Sequence, residues 1–345
     1  MSKHKVLVAD PIADAGINEL KADDSLDVDI RIGISEEELL KDAEIYEAII
    51  VRSQTKITAD VISKATKLKI VGRAGVGVDN IAIPAATKNG VIVMNTPAGN
   101  TISTAEHAFG LMASLARNIP QAHATVTGGG WGRKDYKGVE LNKKTLAILG
   151  MGRIGTEFAR RAIAFGMNVL AYDPYLSPSR ARVLQVELFQ DVDSIVAEAD
   201  FITLHMPLTD ETKHIINEKR LKICKPGARI INCARGGLID EHALLDSIES
   251  GDIAGAALDV YRNEPAVTTT QILQSLNNVV ATCHVSAYDK CSIIKVGEQA
   301  IYNIKNLIRA NLNCDDNFDV FLQDYDENNV WEEIEIITSN KGVFY

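Results

Sequence analysis

The sequence predicts an α/β protein with doubly wound parallel sheets arranged as two domains. Three observations carry this prediction. Short β-branched runs alternate with helical stretches along most of the chain. One of these runs, residues 145–149, leads straight into Gly150-Met151-Gly152-Arg153-Ile154-Gly155, a G-x-G-x-x-G pattern. The next apolar run, 168–172, ends at Asp173, roughly twenty positions past the glycines.

In the N-terminal part, residues 6–9, 48–51, 68–71 and 91–94 read as short buried strands. Residues 35–42 and 58–65 read as helices between them, and Ser35 followed by Glu38 is a capping box. Ligand groups of such a sheet belong on loops after the carboxyl ends of the strands. Two loops there set cations beside small residues and free backbone amides: Arg52-Ser53-Gln54-Thr55-Lys56, and residues 72–80 with Arg73, Gly75, Val76 and Asn80. That composition suits an anionic ligand, with solvated surface charge as the plainer alternative. Residues 95–100 are turn-rich and precede a long helix over 101–116, which predicts a domain boundary. Trp131 stands in a glycine-rich segment ahead of Arg133. It is either one packed aromatic in a loop or an anchor against a partner subunit.

The central βαβ unit gives each glycine a task. Gly150 makes the tight turn, Gly152 lets a pyrophosphate reach the backbone, and Gly155 lets helix and strand pack closely. The amides of Arg153 and Ile154, at the helix start, would bind the pyrophosphate. Asp173 would accept hydrogen bonds from the adenosine ribose. Its charge repels a 2′-phosphate and no Arg follows it, so NAD is expected rather than NADP.

Beyond this unit, residues 200–205, 228–233, 255–260 and 278–282 read as further strands. The last three end at Arg235, Glu264 and His284. Parallel strands open their ends on one edge, the edge that also receives the dinucleotide. Arg235 can hold a carboxylate and polarise a neighbouring carbonyl. His284 can move a proton as a hydride moves. Glu264 can fix the imidazole's tautomer and favour its protonated form. Taken separately, each could be a structural ion-pair partner; together they predict hydride-transfer catalysis.

Bulk properties narrow the partners. A length of 345 residues suggests about two domains. The net charge of −10 argues against nucleic acid and anionic membranes. No apolar run is long enough to span a bilayer, and Met1-Ser2-Lys3-His4-Lys5 lacks a signal-peptide layout. Five cysteines without C-x-x-C argue against a disulfide framework and a metal site, and predict reduced thiols in a cytoplasmic protein.

The chain over about 5–310 resembles the D-isomer-specific 2-hydroxyacid dehydrogenases. The most specific pieces are residues 51–53, 71–80, 94–97, 149–155, 232–237 and 256–265, with the order Arg235, Glu264, His284. The resemblance implies a Rossmann-type NAD domain over 99–285. It implies a discontinuous, flavodoxin-like substrate domain from 1–98 and 286–345, with a cleft between the two. It implies that Val76, Arg153, Ile154, Asp173, Met206, Cys233, Ala234, Asp259 and Ser286 line the NAD site. Arg52, Arg73 and Arg133 would bind anions, and Gly75 and Asn80 would line the substrate pocket, with Ser53 in the same loop as Arg52. It further implies a homodimer or homotetramer with contacts on the NAD domain.

The resemblance implies oxidation of 3-phosphoglycerate to 3-phosphohydroxypyruvate at the entry to serine synthesis. A hydroxypyruvate or glyoxylate reductase, and a non-enzymatic NAD-sensing co-repressor or scaffold, are the alternatives. Ser286 stands where members usually carry Gly, and Tyr288 and Asp289 stand where small hydroxyl residues are usual. The acidic segment 314–345, with Trp331 and a strand-like run at 334–337, is expected to be too short for a regulatory amino-acid-binding domain. It is expected to be a docking strand or partly disordered.

Overall fold

A computed structural model describes residues 3–266, 269–313 and 335–338. In chain order its strands are β1 (His4–Val8), β2 (Leu26–Ile30), β3 (Ala48–Val51), β4 (Ile70–Arg73), β5 (Ile92–Asn95), β6 (Thr145–Leu149), β7 (Asn168–Tyr172), β8 (Glu187–Phe189), β9 (Phe201–Leu204), β10 (Ala228–Asn232), β11 (Ile253–Leu258), β12 (Val279–Ala281) and β13 (Glu335–Thr338). The chain forms two compact units, Met1–Asn100 with Asp289–Tyr345, and Thr101–Tyr288.

The first unit holds a sheet in the order β13-β5-β4-β3-β1-β2. Side chains alternate across a strand, so each strand feeds two core layers. Leu7, Ile49, Val51, Val71 and Val93 pack on one face with Leu39, Tyr46 and Val61. Val6, Val8, Ile50, Ile70 and Ile92 pack on the other with Leu20, Ile301 and Ile304. The last two come from the helix Lys290–Asn313. The capping box forms as expected: Ser35 Oγ accepts from the Glu38 amide, and the Ser35 amide donates to Glu38 Oε2.

β1 to β5 pair in parallel as expected, and one reversed strand is added at the edge. β13 pairs antiparallel with β5, Glu335 opposite Asn95 and Ile336 opposite Met94, so the sheet is five parallel strands with one reversed edge strand. Cys314, Trp331 and the rest of 314–334 lie outside the described residues.

The second unit holds a parallel sheet in the order β12-β11-β10-β9-β6-β7-β8. β6 lies between β7 and β9, so the winding reverses there. That reversal is the switch point at which ligands of such sheets bind, beyond the carboxyl ends of the strands. Ala147 and Leu149 face one core layer, Leu146 and Ile148 the other. Among the described residues no helix is long and apolar enough to cross a membrane.

Candidate active site

The glycine loop shows why two of its three glycines are needed. Gly150 has φ +101°, and a Cβ there would lie 2.4 Å from the backbone oxygen of His205. A Cβ on Gly155 would lie 2.0 Å from the Gly150 carbonyl oxygen. Gly152 differs, since a Cβ there would meet nothing within 4 Å. The loop is therefore closed from behind and open in front. Gly152 caps the helix Arg153–Ala164, whose first amides have no acceptor within the helix. An open approach to these amides fits a dinucleotide pyrophosphate.

Behind the loop, burial lowers the pKa of His205 to about 3, so this imidazole is neutral. It packs 5.0 Å from the Phe158 ring, and its Nε2 lies 3.0 Å from Thr203 Oγ1. Asp173 follows β7 directly. Its Oδ2 accepts from the Met151 amide at 2.7 Å and its Oδ1 from the Tyr175 amide at 2.8 Å. Each carboxylate oxygen can accept again, which leaves capacity for ribose hydroxyls.

The ends of β10, β11 and β12 are neighbours because the strands themselves are. Asn232 clamps the first: its Oδ1 accepts from the Ala234 amide at 3.0 Å, and its Nδ2 donates to the Arg235 carbonyl at 2.8 Å. Arg235 donates from Nη1 to the Ala234 carbonyl at 2.8 Å. On the second loop Glu264 Oε1 accepts from the Tyr261 amide at 3.0 Å. Its Oε2 lies 2.7 Å from Nδ1 of His284. A carboxylate can only accept, so Nδ1 carries a proton and Nε2 is left for chemistry.

This bond raises the pKa of His284 above 6.5, against an opposing push from burial, and the Arg235 charge pulls it down. Burial alone would raise Glu264, but its hydrogen bonds from His284 and the Tyr261 amide outweigh that and leave it below the usual range. Arg235, Glu264 and His284 thus form one electrostatic group.

His284 has φ +55°, an unusual conformation for a non-glycine residue. Asp259 holds it there. Its carbonyl accepts from the His284 amide at 2.8 Å, and its carboxylate accepts from the Val285 and Ser286 amides, each at 2.9 Å. Asp259 is fully buried, and the side chain expected to line the NAD site is engaged with the chain itself. Cys233 and Ser286 are buried beside it, and Met206 is half-buried.

In the first unit, the expectation of free amides after β3 is corrected. Asp10, fully buried, already takes them: Arg52 N at 2.6 Å, Gln54 N at 3.2 Å and Thr55 N at 3.1 Å. Asn80 braces the same loop, donating from Nδ2 to the carbonyls of Arg52 at 2.8 Å and Thr55 at 2.7 Å. What the loop offers a ligand is its side chains, with Ser53 exposed and Arg52 half-buried. The Arg73 guanidinium lies over Gly75, whose Cβ would be 1.8 Å from Nη1. The Val76 carbonyl accepts from Asn95 Nδ2 at 2.7 Å. In the second unit Arg133 is exposed after Gly132.

The unusual Asp289 has a simple structural task. Its Oδ1 accepts from the amides of Cys291 and Ser292 at 2.9 and 3.1 Å, which caps the helix Lys290–Asn313. Asp serves at an N-cap as well as Ser or Thr. Sequence reasoning missed Asp10, His107 and Thr282. A polar residue just past a buried strand was the available signal for Asp10 and Thr282.

The chain belongs to the D-isomer-specific 2-hydroxyacid dehydrogenase family. The sequence model of that family's NAD-binding domain matches residues 109–286, a span that contains the glycine loop, and NAD is its cofactor. The D-3-phosphoglycerate dehydrogenase of Archaeoglobus fulgidus is 48% identical over 306 residues, covering 89% of this chain and 58% of that protein. A glyoxylate reductase from Paecilomyes thermophila has a crystal structure with TM-score 0.82 and 30% identity, covering 89% of this chain and 96% of that one. The structure of D-lactate dehydrogenase from Aquifex aeolicus, complexed with NAD and lactic acid, gives TM-score 0.78 and 29% identity, covering 90% and 97%. The chain spans little more than half the length of the curated relatives it matches.

Proposed function

We propose that this chain is an NAD-dependent dehydrogenase that oxidises 3-phosphoglycerate to 3-phosphohydroxypyruvate, the entry to serine synthesis. The observation that carries the reading is the His284–Glu264 pair, 2.7 Å apart and within the field of Arg235. Residues Gly150, Gly152, Arg153, Ile154, Gly155 and Asp173 would hold NAD, with Val76, Met206, Cys233, Ala234 and Ser286 around it. NAD supplies the hydride acceptor when bound. His284 Nε2 takes the hydroxyl proton as the C–H bond breaks. Glu264 holds the imidazolium that results. Arg235 orients the substrate carboxylate and polarises the forming carbonyl. Arg52, Arg73 and Arg133 supply cations for the anionic groups, with Ser53, Gly75 and Asn80 beside them. Relatives at 46–48% identity that carry this substrate in their names support the phosphorylated acid.

Turnover with 3-phosphoglycerate, D-glycerate, glycolate and D-lactate tests the proposal. Preference for the phosphorylated acid is expected. Preference for glycerate or glycolate moves the assignment to a hydroxypyruvate or glyoxylate reductase. NADH binding without turnover of any acid would leave an NAD-sensing role.

The carboxylate of Asp173 predicts the cofactor. Wild type should show higher kcat/KM with NAD than with NADP, and Asp173→Ala should narrow the difference. Equal use of both cofactors by wild type would remove Asp173 from the ribose site.

We further propose a cytoplasmic homodimer or homotetramer. Five cysteines without a C-x-x-C pattern support a reducing compartment. Trp131 is 84% exposed, and Ile119 and Val126 are also exposed on the preceding helix Ile119–Thr127. Apolar surface of this kind suits a subunit contact. Sedimentation should show an oligomer that Trp131→Ala weakens. A monomeric wild type would rule it out.

A further inference from the structure

The geometry points to His107 as a positioning residue for His284, acting through Thr282 and Asp259. The inference rests on the catalytic role proposed for His284. His107 lies on the helix Thr101–Arg117, next to the buried stripe of Ala105, Ala108 and Met112. Its Nε2 is 3.2 Å from Thr282 Oγ1 and 3.5 Å from Asp259 Oδ1. Thr282 Oγ1 is 2.5 Å from Asp259 Oδ1.

A threonine hydroxyl has one proton, and a carboxylate can only accept it. The Thr282 proton therefore points at Asp259, and Oγ1 must receive its second hydrogen bond. His107 Nε2 is the donor, which fixes its tautomer.

The chain His107–Thr282–Asp259 ends where the catalytic loop is held. The amides of His284, Val285 and Ser286 all terminate on Asp259. Burial would raise the Asp259 carboxyl, but His107, Thr282 and the two loop amides outweigh it and hold it well below the usual range. Asp259 remains an anion and keeps its full accepting capacity. The charged groups acting on His284 are Glu264, Asp259 and Arg235. The Cys233 thiol and Tyr261 also feel the Asp259 charge. A shift of Asp259 would reach the imidazole directly and loosen its contact with Glu264. Misplacement of a reacting group by about 1 Å can cost on the order of 10²-fold in rate.

The test uses the full chain as His107→Phe, His107→Gln, Thr282→Val and the double variant His107→Phe/Thr282→Val. His107→Phe should lower kcat about tenfold with little change in KM. The His284 titration midpoint, read by NMR of the imidazole, should fall toward its ordinary value. His107→Gln keeps a donor for Thr282 and should restore most of both. The double variant should be no worse than Thr282→Val alone, because the residues act in series. An unmoved His284 midpoint in His107→Phe, or equal losses in the Phe and Gln variants, would overturn the positioning role. The NMR readout needs no turnover. A wild type that oxidises no 2-hydroxy acid would refute the dehydrogenase reading alone, while the midpoints would still decide the His107 relay.

Discussion

His284→Ala is expected to lose roughly 10²–10⁴ of turnover in both directions while still binding NADH, the usual worth of a general acid–base group. The imidazole sits beyond the end of β12 with Nδ1 committed to Glu264, so only Nε2 can exchange a proton with substrate. Alanine removes that proton carrier but leaves the glycine loop untouched. A variant with near-wild-type turnover would require another acid–base group.

The pH profile carries the sign. The Glu264 hydrogen bond places the His284 pKa above 6.5. Oxidation needs neutral imidazole and should rise as pH climbs through the raised value. Reduction needs imidazolium and should fall there. Glu264→Gln keeps a hydrogen-bonding side chain but removes the charge, so the midpoint should move down and reduction at neutral pH should suffer more than oxidation. The same raised pKa adds to folding stability below 6.5, and that contribution fades as pH rises through the folded value. Both side chains are partly exposed, so screening keeps this contribution small.

The second large effect is expected from Gly236→Ala. A Cβ at this position would lie 2.0 Å from the Tyr261 carbonyl carbon, 2.1 Å from its oxygen and 2.5 Å from the Arg262 amide nitrogen. All three atoms are backbone and cannot rotate away. The Arg235 loop and the Tyr261–Glu264 loop must separate to admit the methyl group. Overpacking of this kind costs about 1–3 kcal/mol, occasionally more. Activity should fall by about 10²-fold, because the proposed substrate anchor Arg235 and the Glu264–His284 pair would lose their register. Gly110→Ala is the control. It lies exposed on a helix with nothing within 4 Å of a new Cβ, and should be neutral or slightly stabilising. Equal activity and melting temperature in the two variants would refute the packing argument.

Much of this architecture was legible because it is local. A short apolar strand followed by three glycines and a terminal Asp is one continuous stretch, and β6 and β7 begin and end where the pattern places them. The grouping of Arg235, Glu264 and His284 was legible for a different reason. Consecutive parallel strands that lie side by side must deliver their ends together. β2 was not recognised: Leu-Asp-Val-Asp-Ile alternates apolar and acidic residues, as an edge strand with one wet face does.

The remaining gaps are long-range. His107 and Thr282 are 175 positions apart, and no pattern in either segment announces the other. Asp10 reads as an ordinary acidic residue after a strand. That it would occupy the amides at 52–55 depends on which way those amides face, a property of the folded loop and not of its composition.

Asp10 and Asn80 also bear on how this loop could be redesigned. Its shape is fixed from outside, by one buried carboxylate below and one amide at the side. The side chains of Ser53, Gln54 and Lys56 are exposed and take no part in those two mounts. The loop is therefore a cartridge with fixed fittings. Under the substrate role proposed for this loop, exchanging its outward side chains should change the acid preferred while its backbone stays in place.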